Sequence, residues 1–266
     1  IYLLIRSSPI LEYAPYSLLC ILCVGQITTI YAASSGLFQN DMKRLIAYST
    51  ISQIGYLVIA VGLSQYSAAL IHIASHAYFK ALLFLSAGRV LHSISDEQDI
   101  RKLGGLMTLL PFTYTAIIVG SLSLIAIFPL SGYYSKDLIL ELAYGRYTFT
   151  GCQAYVMGTL TAFLTAFYSI RLVCITFTGM PHASRQLYIQ THDQPLLVQM
   201  TFTLLAFISI FFGYMSRDII TGIGSDGLIS SMYHGPESVL LPEAEFIPLT
   251  MKLIPTLITI FSASIA

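Results

Sequence analysis

Apolar residues run along this chain in long blocks separated by short polar stretches. They do not alternate inward and outward one residue at a time, so the pattern predicts helices rather than barrel strands. At the helical rise, a block of about 20 residues crosses roughly 30 Å of hydrocarbon. Seven such segments are predicted, near 14–39, 45–64, 67–92, 107–143, 153–179, 195–215 and 247–265, with residues 1–6 as a helix stub. The polar breaks read "QNDMKR" (39–44), "HSISDEQDIRKLGG" (92–105), "MPHASRQLYIQTHDQP" (180–195) and a glycine-rich stretch over 216–246, expected to be an ordered surface loop. Three parts are expected: 1–13, the end of a preceding helix and its loop; 14–180, a five-helix unit; and 181–266, two further spans with a long connection.

The fourth segment is too long. As one straight helix, 107–143 would measure about 55 Å, well beyond a bilayer. Inside it lies "IFPLSGYYSKD". Pro129 removes a helical N–H, and Ser131 with Gly132 loosens the backbone, so a break over 128–134 is predicted. Unwound backbone at membrane depth is tolerated only inside protein or beside water, and in transporters such breaks mark ion or substrate sites. Lys136 is accordingly expected to turn toward a hydrated interior.

Composition fits this reading. Of 266 residues, 56% are hydrophobic and 10% charged, against about 25% charged in soluble proteins. The fold class predicted is an all-α polytopic membrane protein with one discontinuous helix. Thirteen basic and thirteen acidic residues cancel, so nothing argues for nucleic acid. Loop cations set the orientation. Lys43, Arg44, Arg89, Arg101, Lys102 and Arg185 fall on one side, and Arg6, Arg146 and Arg217 on the other. The first side is therefore expected to face the matrix or cytoplasm. Cys20 and Cys23 form a CxxC inside an uncharged stretch, where they read as small apolar helix residues.

The candidate chemistry lies in "HIASHAYFK". His72, His76 and Lys80 recur every four residues and form one slowly drifting stripe on a helix. A lysine at mid-membrane costs about 2.5–3.5 kcal/mol even on the gentler insertion scale, so Lys80 must face water, a carboxylate or a polar interior. Three readings stand. A zinc site needs at least three protein ligands and finds only HxxxH. The histidines could be interhelical polar glue. A proton relay draws on histidine and desolvated lysine, which exchange protons near neutral pH. The relay reading has company in Asp41 with Lys43, in Lys136 with Asp137, and in the polar residues Tyr48, Ser49, Ser52 and Gln53. Arg171, deep in "AFYSIRLVCITF", reads as a snorkelling cation or a further member.

With these residues in view, the chain resembles the chain 5 family of antiporter-like membrane subunits of NADH:ubiquinone oxidoreductase, respiratory complex I. "LIRSSPILEYAP", "GLFQNDMKRLIAYSTISQIGY", "HIASHAYFKALLFLSAG", "DEQDIRKLGGL" and "GYYSKDLILE" carry the resemblance, in that order, over residues 1–180. The resemblance implies proton translocation in a mitochondrial inner membrane (or a bacterial plasma membrane), with no cofactor in this chain. NADH, flavin, iron–sulfur clusters and ubiquinone would be handled by other membrane-arm and peripheral subunits. It implies that 14–179 form the second of two inverted five-helix repeats. It places Lys43, His72, His76 and Lys80 on a central polar axis, Lys136 and Asp137 at the exit half-channel, and Asp41 as a partner near Lys43. The first repeat, with its glutamate–lysine pair, and a lateral helix lie outside these residues. The opening "IYLLIRSSP" reads as the tail of a helix, so another polypeptide or a missing segment is expected to supply that half. Two alternatives remain open: a cation/proton antiporter subunit without a redox partner, and a scaffold that no longer pumps.

Overall fold

Proline and small residues decide where the helices start and how closely they pack. The computed structural model describes residues 1–191, 195–220 and 246–266. Its helices, in chain order, are α1 (Tyr2–Arg6), α2 (Ser8–Leu11), α3 (Pro15–Leu37), α4 (Met42–Gly62), α5 (Tyr66–Ser93), α6 (Pro111–Ile125), α7 (Leu138–Gly145), α8 (Phe149–Val173), α9 (Arg185–Gln190), α10 (Leu196–Ile220) and α11 (Leu249–Ile265). Pro15 and Pro111 open α3 and α6, where a missing N–H costs nothing. The Thr148 hydroxyl caps α8 by accepting from the Gly151 amide at 3.2 Å.

Among the described residues, five helical stretches are long and apolar enough to cross a membrane: Pro15–Leu37, Met42–Gly62, Tyr66–Ser93, Phe149–Thr178 and Leu196–Arg217. Pro111–Ile125 and Leu249–Ile265 are shorter apolar helices. The connection expected over 180–195 carries the short helix α9, and most of the loop expected over 216–246 lies outside the described residues.

α3 and α4 form an antiparallel pair in near backbone contact. A Cβ on Gly25 would lie 2.8 Å from the Ile59 nitrogen, and one on Gly62 2.7 Å from the Leu22 nitrogen. Small residues permit such an approach, which carries helix association in lipid. α11 packs on α8, where the Tyr155 hydroxyl donates to Met251 O at 2.8 Å and Ser262 Oγ to Phe163 O at 2.6 Å. Outward, Leu204, Phe207 and Phe211 on α10 and Leu253, Leu257 and Phe261 on α11 are exposed, the surface a bilayer solvates.

The loops expected on one side of the membrane do meet at one end. The Met42 amide donates to Gln98 O at 3.0 Å, the Ile100 amide to Asn40 O at 2.9 Å, and the Tyr188 hydroxyl to Gly104 O at 2.9 Å. The Arg101 side chain and then its amide donate to Asp99 and hold that carboxyl down at about 2. A depressed carboxylate stabilises fully above its ordinary range, and the effect fades as pH falls through about 2. The pair is on the surface and its effect is small.

The long fourth segment is broken. α6 ends at Ile125, and Ala126 turns left-handed at φ 74°. The Ile127 amide donates to Leu122 O and the Ala126 amide to Ser123 O, each at 3.2 Å, a Schellman closure that satisfies the free carbonyls. A cis Phe128–Pro129 peptide follows, and the chain re-enters a helix at Ser131 through a π-helical turn, Tyr133–Asp137, into α7. The break covers 126–130, slightly earlier than the predicted 128–134, because α6 stops at the left-handed Ala126 before Pro129 is reached.

Candidate functional site

Two apolar clusters cap the bundle, and a polar layer lies between them. One cluster gathers Leu45, Ile46, Phe79, Leu83, Tyr168 and Leu172. The other gathers Leu57, Ile59, Ala69, Leu138, Leu140 and Tyr155. Between these levels α4 carries Ser49, Ser52 and Gln53, α5 carries His72, Ser75 and Lys80, and α8 carries Thr161 and Thr165, all buried. The spacing puts each set on one helix face.

Lys80 reaches from α5 to α4. Its Nζ donates to Ser49 Oγ, and to Ile46 O at 3.3 Å. Further along α4, Ser52 Oγ lies 3.5 Å from the Tyr168 hydroxyl on α8. The Tyr56 hydroxyl donates to Gly158 O at 2.6 Å, and its ring lies 5.3 Å below Lys136 Nζ.

Lys136 sits in the π turn after the break and is 1% exposed. Its Nζ donates to Thr165 Oγ1 at 3.0 Å and to Leu124 O at 3.4 Å. Leu124 belongs to the last turn of α6, so the ammonium stands at the negative end of that half-helix. The break thus creates the lysine's site. The neighbouring Ser135 Oγ lies 3.0 Å from His72 Nδ1, and the His72 and His76 rings are 6.2 Å apart. The broken segment therefore ties α5 to α8 through consecutive residues, Ser135 and Lys136.

Several buried polar atoms have no hydrogen-bond partner among the described residues: His72 Nε2, His76 Nε2, both amide atoms of Gln53, Ser131 Oγ and Asp137 Oδ2. All belong to this layer or adjoin it. Each such atom costs about 1–3 kcal/mol unless something serves it.

His72, His76, Lys80, Lys136 and Asp137 all lie in or beside this interior. Lys43 and Asp41 do not. The Lys43 side chain is exposed, and Asp41 pairs with Arg44 Nε at 3.1 Å rather than with Lys43. Six residues put Lys43 about 120° round the helix from Ser49, away from the buried face. The resemblance placed Lys43 on the axis, and in the structure it stands at the mouth of α4 instead. Arg171 stands outside the row, and its guanidinium reaches the polar 39–44 loop. It donates to Leu37 O and, at 2.9 Å, to Asn40 Oδ1, and so closes the C-terminus of α3 from α8. Tyr48 faces Gly36 of α3. Among the described residues no three of His, Cys, Asp and Glu converge as metal ligands.

Ser135, Thr165, Tyr168 and Tyr56 were missed in the sequence. Their signal was present in α8, where Thr161, Thr165, Tyr168 and Ser169 recur at helical spacing inside "TLTAFLTAFYSI".

A family profile described as "NADH:quinone oxidoreductase/Mrp antiporter, TM" matches residues 1–165. The chain belongs to this family. It is a multi-pass membrane protein with an antiporter-like helical fold. Curated members similar to it include NADH-ubiquinone oxidoreductase chain 5 of Mycosarcoma maydis, 56% identical over the whole of this chain, and that of Marchantia polymorpha, 46% identical over the whole of it. The chain spans about 40% of the length of each. A solved structure of the Mrp complex from Dietzia sp. DQ12-45-1b contains a chain that superimposes with a TM-score of 0.77 at 25% identity. That match covers 99% of this NADH:quinone oxidoreductase/Mrp antiporter family member and 28% of the Mrp chain.

Proposed function

We propose that this chain is the proton-translocating part of a membrane-arm subunit of respiratory NADH:ubiquinone oxidoreductase, working in the mitochondrial inner membrane. It carries out no redox chemistry itself. Other subunits oxidise NADH and reduce ubiquinone, and this chain moves protons in response. Further membrane-arm subunits surround it, along with the rest of the antiporter-like unit.

The observation that carries the reading is the buried row of protonatable and hydroxyl groups from Lys80 through Ser49, Ser52, Tyr168 and Tyr56 to Lys136, Thr165, Ser135 and His72. Lys80 and Lys136 are held by hydroxyl and carbonyl oxygens rather than by carboxylates in hydrogen-bond contact. Lys80 can release its proton without stranding a carboxylate beside it, whereas Lys136 shares its buried π turn with the Asp137 carboxyl. Hydroxyls donate one hydrogen bond and accept others, so each can receive a proton and pass one on. His72 binds Ser135 through Nδ1 and keeps Nε2 available toward the interior, the arrangement of a shuttle with two distinct nitrogens. Ordered water is the natural partner for the remaining buried polar atoms.

The second reading is a cation/proton antiporter subunit with no redox partner, favoured by the likeness to the Mrp complex chain. Purification separates the two. The membrane complex containing this chain is expected to carry NADH:ubiquinone reductase activity, with flavin- and iron–sulfur-containing neighbours in its mass spectrum. A complex free of NADH oxidation that exchanges sodium for protons across liposomes would establish the antiporter instead.

A further inference from the structure

The broken segment needs something to hold it. Its own hydrogen bonds are few between Ala126 and Gly132, yet it must keep Lys136 within reach of both Thr165 and Leu124 O. On one side, the turn doubles back on α6, and a Cβ on Gly132 would collide with Ser123 O. On the other side lies α10, beyond the residues the family profile matches.

We propose that α10 is a strut that sets the position of the broken segment, and that Gly213 is the positioning residue that fixes how closely the two approach. A Cβ on Gly213 would lie 2.5 Å from Ser131 Cα, 2.9 Å from Ser131 O and 3.1 Å from Ser131 C. These are backbone atoms of the first residue after the break, so no side-chain rotation could relieve the contact. α10 also grips both neighbours of the break. Ser123 Oγ, in α6, lies 3.5 Å from Ser209 O. The Tyr134 and Tyr214 rings lie 6.1 Å apart, and Tyr78 of α5 meets Phe212 at 5.2 Å. Three successive α10 positions (Phe212, Gly213 and Tyr214) and, one turn earlier, Ser209 thus touch α5, the chain just after the break and α6. Ser131 stands four and five residues before Ser135 and Lys136, one helical turn away. A displacement at Ser131 is therefore carried to the two residues that join the row to α5 and α8.

The inference rests on the transport reading above, and its test carries a control for that reading. In the complete membrane complex, Gly213→Ala, Tyr214→Ala and Lys136→Met are compared for assembly on native gels, electron transfer, protons pumped per NADH, and the pH profile of pumping. Tyr214 is exposed, so its truncation opens no buried cavity and keeps the test alive if Gly213→Ala does not assemble. Lys136→Met is expected to lower pumping. Gly213→Ala is expected to lower protons pumped per NADH by roughly tenfold and to move the pH profile, because an ångström of misplacement at a working group is costly. Tyr214→Ala should shift both in the same direction by about twofold, since it loosens one contact and leaves the close approach intact. A strut with a purely architectural role would change the amount of complex but neither the ratio nor the profile. If Lys136→Met lowers pumping while an assembled Gly213→Ala complex (or, failing that, Tyr214→Ala) keeps the wild-type ratio and profile, the strut is overturned. If Lys136→Met itself pumps normally, the transport reading fails instead.

Discussion

Lys80→Met is expected to leave the membrane complex assembled and to lower proton pumping, with the electron transfer coupled to it, by on the order of a hundredfold, the scale of losing a positioned proton donor. Methionine matches lysine in length and asks for no polar partner, so the packing around α5 survives. Removing the ammonium strands nothing, because Ser49 Oγ still donates to Ile46 O at 2.8 Å. The two quantities to measure are the yield of intact complex and the rate of proton pumping per assembled complex. Loss of assembly, with normal pumping in whatever complex remains, would make Lys80 a structural cation.

Gly132→Ala is expected to act on stability instead. The added methyl would fall on Ser123 O, which already accepts from the Ala126 amide at 3.2 Å in the Schellman closure. Neither partner can yield, since one is helix backbone and the other the re-entering chain. The cost is on the order of 3 kcal/mol, at the upper end for overpacking. It should appear as a lower thermal midpoint and a lower yield of complex. Gly88→Ala is the control, because nothing lies within 4 Å of a Cβ there. Equal behaviour of the two variants would mean that the turn does not pack against α6 as described.

Much of this architecture could be read from one-dimensional pattern. Apolar block length predicted the spans, and the stripe His72, His76, Lys80 pointed to the interior, because charge in lipid is expensive enough to dictate where it faces. The break was visible as Pro129 and Gly132 inside an overlong segment. Its early start at Ala126 was not, because a left-handed alanine has no signature in composition. Partners across the bundle were equally hidden. That Lys136 would meet the carbonyl end of α6, that Ser135 would meet His72, and that Arg171 would close α3 all depend on crossings between helices far apart in sequence. Lys43 is the opposite case. Motif resemblance carried it to the axis, whereas its angle on α4, set against Ser49 and the exposed first turn, places it outside. Gly213 looked like any glycine in an apolar helix until Ser131 was found against it.

The central claim is that Lys80 and Lys136 serve one path, joined through the hydroxyls of α4 and α8. A double-mutant cycle addresses it most directly. Protons pumped per NADH are measured in proteoliposomes for Lys80→Met, Lys136→Met and the double variant, each in the complete and assembled complex. Groups in series act as a unit, so the double variant should pump no worse than the weaker single one. Losses that multiply, or either single variant pumping at the wild-type ratio, would contradict a single path through this row.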